Sequence, residues 1–234
     1  MSLAKFPFVF ASTYLFSASF VRPNPLAGAT ERLQGPLYER ALRFLPPNEV
    51  MRIMAWIPCI VEGVILLATN FPSPSSSQVL SVLLRNGQLP SFTPDRYVIA
   101  GAAITILGSS ARLWAIRTLG RHFTHELSIR KDHKLVTDGP YSVVRHPSYT
   151  AALLASVGLM ILHASPGSFV RACGWLESRV GKTLVASWVA PFIFLFGLIM
   201  ARTRSEDGFL RAHFGVEWDK YAERTRYRLF PGLF

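Results

Sequence analysis

Half of the 234 residues are hydrophobic and only 17% are charged, and mean hydropathy is positive. That balance argues against an ordinary soluble domain and for a membrane protein, and the length suits one compact domain. The formal net charge of +11 flanks apolar runs instead of forming one dense stripe, which fits attraction to an anionic leaflet better than nucleic-acid binding.

A spanning helix needs about 20 mostly apolar residues. The first apolar segment, 6–21, is short and aromatic-rich. Lys5 and Ser17-Ala-Ser19 loosely resemble a signal peptide. Cleavage would make the later basic blocks alternate the wrong way across the membrane, so the segment is expected to be retained. Pro23, Pro25, Pro46 and Pro47 punctuate the connection to the second segment, 53–71. Residues 72–94, rich in Ser and Pro, read as an exposed loop with one short interfacial helix.

The third, fourth and fifth segments are 97–116, 149–164 and 184–201, the fourth being short for a full crossing. Pro58 and Pro191 interrupt two spans, which membrane helices tolerate when neighbours repair the backbone. Glu62 and Arg112 lie inside spans, where an ion pair between helices or snorkelling accounts for them. Gly101, Gly108, Gly158 and Gly197 fit close helix packing. Cys59 and Cys173 have no metal-binding spacing and do not suggest a disulfide framework.

In the tail 203–221, Leu210, Phe214, Trp218 and Tyr221 recur at helical spacing opposite Arg211, Glu217 and Lys220. Gly215 is expected to break it into two helices, and packing on the bundle or membrane accounts for the aromatics. The expected fold is therefore all-α: a polytopic membrane helix bundle of about five membrane segments with a cytosolic C-terminal helical cap.

Basic residues set the orientation. Arg22, Arg32, Arg40, Arg43 and Arg52 follow the first segment. Arg117, Arg121, Arg130, Lys131, Lys134 and Arg145 follow the third, and the tail is rich in arginine from Arg202 to Arg228. The intervening loops carry fewer: Arg85 and Arg96, then Arg171, Arg179 and Lys182. Both polar blocks, 135–149 and 202–207, are thus expected on the cytosolic face.

Polar blocks beside a bilayer are costly and usually mark sites. Gly139-Pro140 sets a turn before Tyr141. Pro147 biases His146 away from helix and suits the start of a helix at Ser148. His146 and Tyr149 then sit at a helix start whose N–H groups attract an anion, with Arg145 adding charge. A helix entry with an interfacial Arg and Tyr belt explains the same pattern. Arg202 and Glu206 are four apart and share a helical face. They are either an exposed ion pair or two ligands of opposite sign, which would suit joining a cationic donor to an anionic acceptor.

His133-Lys-Leu-Val-Thr-Asp-Gly-Pro-Tyr141, Arg145-His-Pro-Ser-Tyr149, Arg202-x-x-x-Glu-Asp207, Phe214-Gly-x-x-Trp-x-x-Tyr221 and Arg228-Leu-Phe-Pro-Gly232 follow one another in this order. Together they resemble the motifs of the isoprenylcysteine carboxyl methyltransferases, over roughly the half of the chain from Gly120 onward. The resemblance implies N-terminal membrane segments and loops over 1–96 and a methyltransferase core over 97–234. It implies S-adenosylmethionine as methyl donor and, as substrate, the C-terminal carboxylate of a farnesylated or geranylgeranylated cysteine on processed CaaX proteins such as small GTPases. It further implies an endoplasmic reticulum membrane enzyme surrounded by lipid, with no nucleic-acid partner.

By motif position, His133, Lys134, Leu135, Val136 and Tyr141 would contact the donor. His146, Pro147, Ser148 and Tyr149 would line the same pocket, Glu206 would bind the donor, and Arg202 would hold the substrate carboxylate as the catalytic residue. Two departures stand out: Ala151 where the family usually has Gly, and Asp207 where it usually has Glu. A carboxylate is ionised at neutral pH, so a direct displacement at the methyl carbon needs positioning and partial removal of water more than a base. His146 is therefore expected to be a contact, and the prenyl chain to enter sideways from the bilayer.

A phospholipid N-methyltransferase would need a base for its amine, to which Arg202 is poorly suited. An NADPH-dependent sterol reductase shares the RHPxY and FGxxWxxY blocks. It would usually carry a further acid soon after Tyr149, where this chain has apolar residues. A scaffold with a decayed pocket is the third alternative, against which His146, Tyr149, Arg202 and Glu206 stand together. His122 and His125 have metal-like spacing without further convincing ligands, so no metal is expected. His163 and His213 read as interfacial.

Overall fold

The computed structural model describes residues 3–25, 28, 31, 46–125, 128–129 and 131–232. Arg32, Arg40, Arg43 and Arg130 of the charge pattern lie outside the described residues. Among those described, the fold is all-helical. Helix α1 is Phe6–Ser19, α2 is Pro47–Asn70, α3 is Pro74–Leu83 and α4 is Arg96–Leu119. Helix α5 is Pro147–His163, α6 the single turn Phe169–Ala172, α7 Arg179–Phe214 and α8 Val216–Arg224.

Local chemistry explains the starts. Prolines, which have no N–H to leave unsatisfied, stand in the first turns of α2 and α5. Asp95 accepts from the N–H groups of Tyr97 and Val98 to cap α4. Ser73 and Ser76 form a reciprocal capping box on α3, a helix with no buried residue. That short helix lies in the predicted Ser/Pro loop.

Helices α2, α4 and α7 are long and apolar enough to cross a membrane. At about 1.5 Å per residue they exceed the roughly 30 Å hydrocarbon core. Helices α1 and α5 are apolar but shorter, with 14 and 17 residues. The 36 residues of α7 run straight from the fifth apolar segment into the polar block. The first part of the predicted tail is therefore not a separate helix, and Arg202, Glu206 and Asp207 stand on the continuation of a span. Gly215, at φ 54°, ends α7 before α8 as expected.

The closest packing joins α4 to α5. A Cβ on Gly101 would lie 2.5 Å from Leu162 N, and one on Gly158 would lie 2.5 Å from Thr105 N. These glycines let two antiparallel backbones meet, the first half of α4 against the last turns of α5, and Gly108 continues the contact to Ala155 and Ala151 nearer the α5 start. Gly197 does not serve this purpose, because nothing lies within 4 Å of its Cβ position among the described residues. Phe16 and Phe20, Met51, Leu159, Phe192 and Ile199 build one core from α1, α2, α5 and α7, and Leu229 of the C-terminal segment joins them.

The charges inside the spans are placed differently from the expected pairing. Glu62 pairs with Lys5 at 2.9 Å, both buried, and Lys5 Nζ also donates to the Gly167 carbonyl at 3.1 Å. Arg112 has no part in that pair. His163 is buried in the bundle, edge-on to Trp188.

Candidate functional site

A cavity encloses about 960 Å³ of non-protein space, counting its mouth. Its walls come from the end of α4 and the loop after it, the turn leading into α5, the polar stretch of α7 from Arg202 to Leu210, and α8. The turn exists because Gly139 takes φ 57° and Pro140 follows it, giving a short 3-10 helix over Gly139–Ser142. Tyr141 is buried there, its hydroxyl 3.4 Å from the Ala115 carbonyl and its own carbonyl accepting from Tyr221 Oη at 2.8 Å. Burial pushes both the Tyr141 and Tyr221 phenols up, so neither ionises at physiological pH.

The chain after α8 straps this turn in place. The N–H of Arg145 donates to the Tyr227 carbonyl at 3.0 Å and that of His146 to the Arg228 carbonyl at 2.9 Å. Thr150 Oγ1 donates to the Leu229 carbonyl at 2.6 Å. The His146 N–H is thus already paired and is not open to a ligand.

Inside the cavity, Tyr149 Oη donates to Glu206 Oε2 at 2.7 Å. The His146 and Tyr149 rings stack at 5.6 Å and 14°. Arg202 and Glu206 both face the cavity, as their helical spacing predicts. Asp207 points away into the wall, where it meets His146 Nε2 at 2.8 Å, Arg228 Nε at 2.8 Å and Arg145 Nη1 at 3.2 Å. The shorter acid therefore has partners within reach.

Of the residues singled out by motif, His133, Leu135, Val136, Tyr141, His146, Ser148, Tyr149, Arg202 and Glu206 line one cavity. Lys134 is exposed and Pro147 is buried, and neither is on the wall. Ala151 is buried where α5 meets α4, its carbonyl 3.0 Å from the Cβ position of Gly108, and it is not among the residues of the cavity wall.

Several wall residues escaped the sequence reading. Arg112 is buried with Nε donating to the Ser19 carbonyl at 3.0 Å and Nη1 to the Ser148 carbonyl at 2.8 Å, its guanidinium 4.6 Å above the Phe20 ring. It places a second fixed positive charge beside Arg202 on the wall. An arginine near a helix end looks the same in sequence whether it snorkels or lines a site. Trp218 and Tyr221 are also wall residues, so packing alone does not describe the tail aromatics.

His122, His125 and His133 line the cavity too. Burial, then Arg112 and Arg202, push His125 down to about 3. Burial, then His122 and His213, push His133 down to about 4. Both are neutral near pH 7. Among the described residues, no group of three or more His, Cys, Asp or Glu side chains comes together to hold a metal.

The arrangement offers a carboxylate, three guanidiniums (Arg112, Arg145 and Arg202) and several aromatic rings around one cleft. Sequence comparisons point to the same family as the first two motif blocks. Residues 101–176 match the isoprenylcysteine carboxyl methyltransferase (ICMT) family. Protein-S-isoprenylcysteine O-methyltransferase B of Arabidopsis thaliana is 33% identical over 127 residues, covering 53% of this chain and 55% of that protein. Protein-S-isoprenylcysteine O-methyltransferase of Schizosaccharomyces pombe is 29% identical over 175 residues, covering 74% and 62%. The protein of the same name from Tribolium castaneum is 41% identical over 127 residues, covering 53% and 38%. The chain thus spans about half the length of the curated relatives it matches.

Proposed function

We propose that this chain is an S-adenosylmethionine-dependent methyltransferase that esterifies the C-terminal carboxylate of prenylated cysteine. The observation that carries this is the shared cavity wall of Glu206, with its Tyr149 partner, and Arg202. The match to the family and to proteins named for this activity supports it.

The residues present fit the donor. Glu206, half-open to the cavity, is the acidic partner for its amino group, and the aromatic faces of His146, Tyr149 and Trp218 suit a soft cation. His133, with a buried Nδ1 that has no hydrogen-bond partner among the described residues, and the Leu135, Val136, Tyr141 and Ser148 surfaces complete the donor side. When bound, S-adenosylmethionine supplies an activated methyl group.

Arg202 holds the acceptor carboxylate by charge-assisted hydrogen bonds and strips part of its water. No side chain has to remove a proton, because the carboxylate is ionised already. His146 accordingly belongs to the wall.

The same reading makes the chain a multi-pass protein of the endoplasmic reticulum with the cavity facing the cytosol. Helices α1 and α5 join the three long helices as membrane segments, and α8 with the end of α7 forms the cytosolic cap. Prenylated CaaX-processed proteins, small GTPases among them, are its substrates. Their lipid chain costs about 0.8 kcal/mol per exposed CH₂ and enters from the bilayer.

The test is to offer purified protein labelled S-adenosylmethionine with a farnesylcysteine analogue, and separately with an amino phospholipid. Label in the farnesylcysteine product supports the reading, and label only in the phospholipid overturns it.

A further inference from the structure

Glu206 and Asp207 are adjacent in sequence but do different things in space. The Glu206 side chain is 32% exposed and faces the cavity, whereas that of Asp207 is 9% exposed and lies in the wall. Oδ2 of Asp207 receives Arg228 Nε at 2.8 Å and Arg145 Nη1 at 3.2 Å, while Oδ1 meets His146 Nε2 at 2.8 Å. A carboxylate between two guanidiniums stays ionised and only accepts, so His146 must carry a hydrogen on Nε2.

That contact fixes the imidazole plane. The plane backs the Tyr149 ring at 5.6 Å, and His146 Nδ1 comes within 3.8 Å of Glu206 Oε2, the oxygen that accepts from Tyr149 Oη at 2.7 Å. The contacts run in one line from Asp207 through His146 and Tyr149 to Glu206.

We propose that Asp207 is a positioning residue: through His146 and Tyr149 it orients the Glu206 carboxylate toward a cationic methyl donor. This rests on the donor reading above. The competing role is purely structural, with Asp207 anchoring the C-terminal strap through Arg228. The two differ in which substitutions reproduce its loss. Buried partners that orient a ligating group commonly matter by about tenfold or more to ligand affinity.

Calorimetric binding of S-adenosylhomocysteine to the purified full chain tests this without requiring turnover. Asp207→Asn should weaken binding about tenfold, the equivalent of one hydrogen bond to a charged group. In the methylation assay it should raise the donor KM and leave the acceptor KM unchanged. Asp207→Glu should restore affinity to within about twofold, and Arg228→Gln, which spares the histidine contact, should change it less than about threefold.

Wild-type affinity in Asp207→Asn, or a full tenfold loss in Arg228→Gln, overturns the proposal. Should Asp207→Asn fail to fold, His146→Gln interrupts the same line at its middle, and unchanged donor affinity there overturns it equally. Absence of binding by the wild-type protein overturns the donor reading and this inference together. Binding by the wild type with an unaffected Asp207→Asn overturns this inference alone.

Discussion

Tyr149 Oη donates to Glu206 Oε2 at 2.7 Å, joining the start of α5 to α7 across the cavity. The bond holds the carboxylate of Glu206 at one orientation while leaving it accessible. Tyr149→Phe removes the hydrogen bond and keeps the ring that stacks on His146. Donor affinity should fall about tenfold, as expected for about 1.4 kcal/mol from a bond to a charged acceptor. Glu206→Ala should lose more. Both are read by titrating S-adenosylhomocysteine, and unaltered affinity in Glu206→Ala would remove it from the donor site.

Arg202 should show the opposite pattern. Arg202→Ala is expected to raise the acceptor KM or lower kcat by about 10²-fold, a typical consequence of losing a charge-assisted contact at the reacting group. Donor binding should remain within about threefold. Lost donor affinity alone would contradict the assignment of Arg202 to the carboxylate.

Arg112 ties α1 to α5 through the carbonyls of Ser19 and Ser148. Arg112→Met removes both bonds; the Ser148 carbonyl keeps its helical partner, while the Ser19 carbonyl at the end of α1 loses this donor, at about 1–3 kcal/mol. Thermal melting in detergent should shift down clearly, and more than for Arg202→Ala. An unchanged midpoint would show that these bonds contribute no net stability.

Lys5 and Glu62 make a second buried anchor. Removing one partner leaves the other charge uncompensated, at about 3–5 kcal/mol. Glu62→Ala should therefore be severely destabilised, and the double variant Lys5→Met with Glu62→Met should recover most of the loss. Equal destabilisation of single and double variants would refute the pairing.

His133 supplies a pH dependence. Its folded-state value is lowered to about 4, chiefly by burial, against about 6.5 in an unfolded chain. The unfolded state therefore takes up a proton first as pH falls, so its contribution to stability is present above about pH 6.5 and is lost progressively toward pH 4. His133→Gln should flatten the acidic limb of a stability profile measured between pH 7 and pH 4.5. An identical limb would mean that His133 is not shielded as described.

Much of the site was legible in the sequence, for physical reasons. A polar block between apolar runs is costly, which made 135–149 and 202–207 conspicuous, and helical spacing put Arg202 and Glu206 on one face. Proline chemistry located the start of α5, and Gly215 located the break before α8. Arg112 was hidden because an arginine in a span has the same local signature whether it snorkels or bonds two distant carbonyls. The Lys5–Glu62 pair joins residues 57 apart, beyond the reach of any local pattern. The strap over Arg145 and His146 is made by backbone bonds, which side-chain identity does not encode. Continuity of α7 through the polar block was missed because hydropathy drops at Arg202 while helix propensity does not.

The most direct measurement is methyl transfer by the purified wild-type chain from labelled S-adenosylmethionine to a farnesylcysteine analogue. A base-labile methyl ester should form at a rate proportional to protein, and Arg202→Ala should suppress it. No such ester at any protein concentration, with the protein folded and the donor bound, would contradict carboxyl methylation as the function of this site.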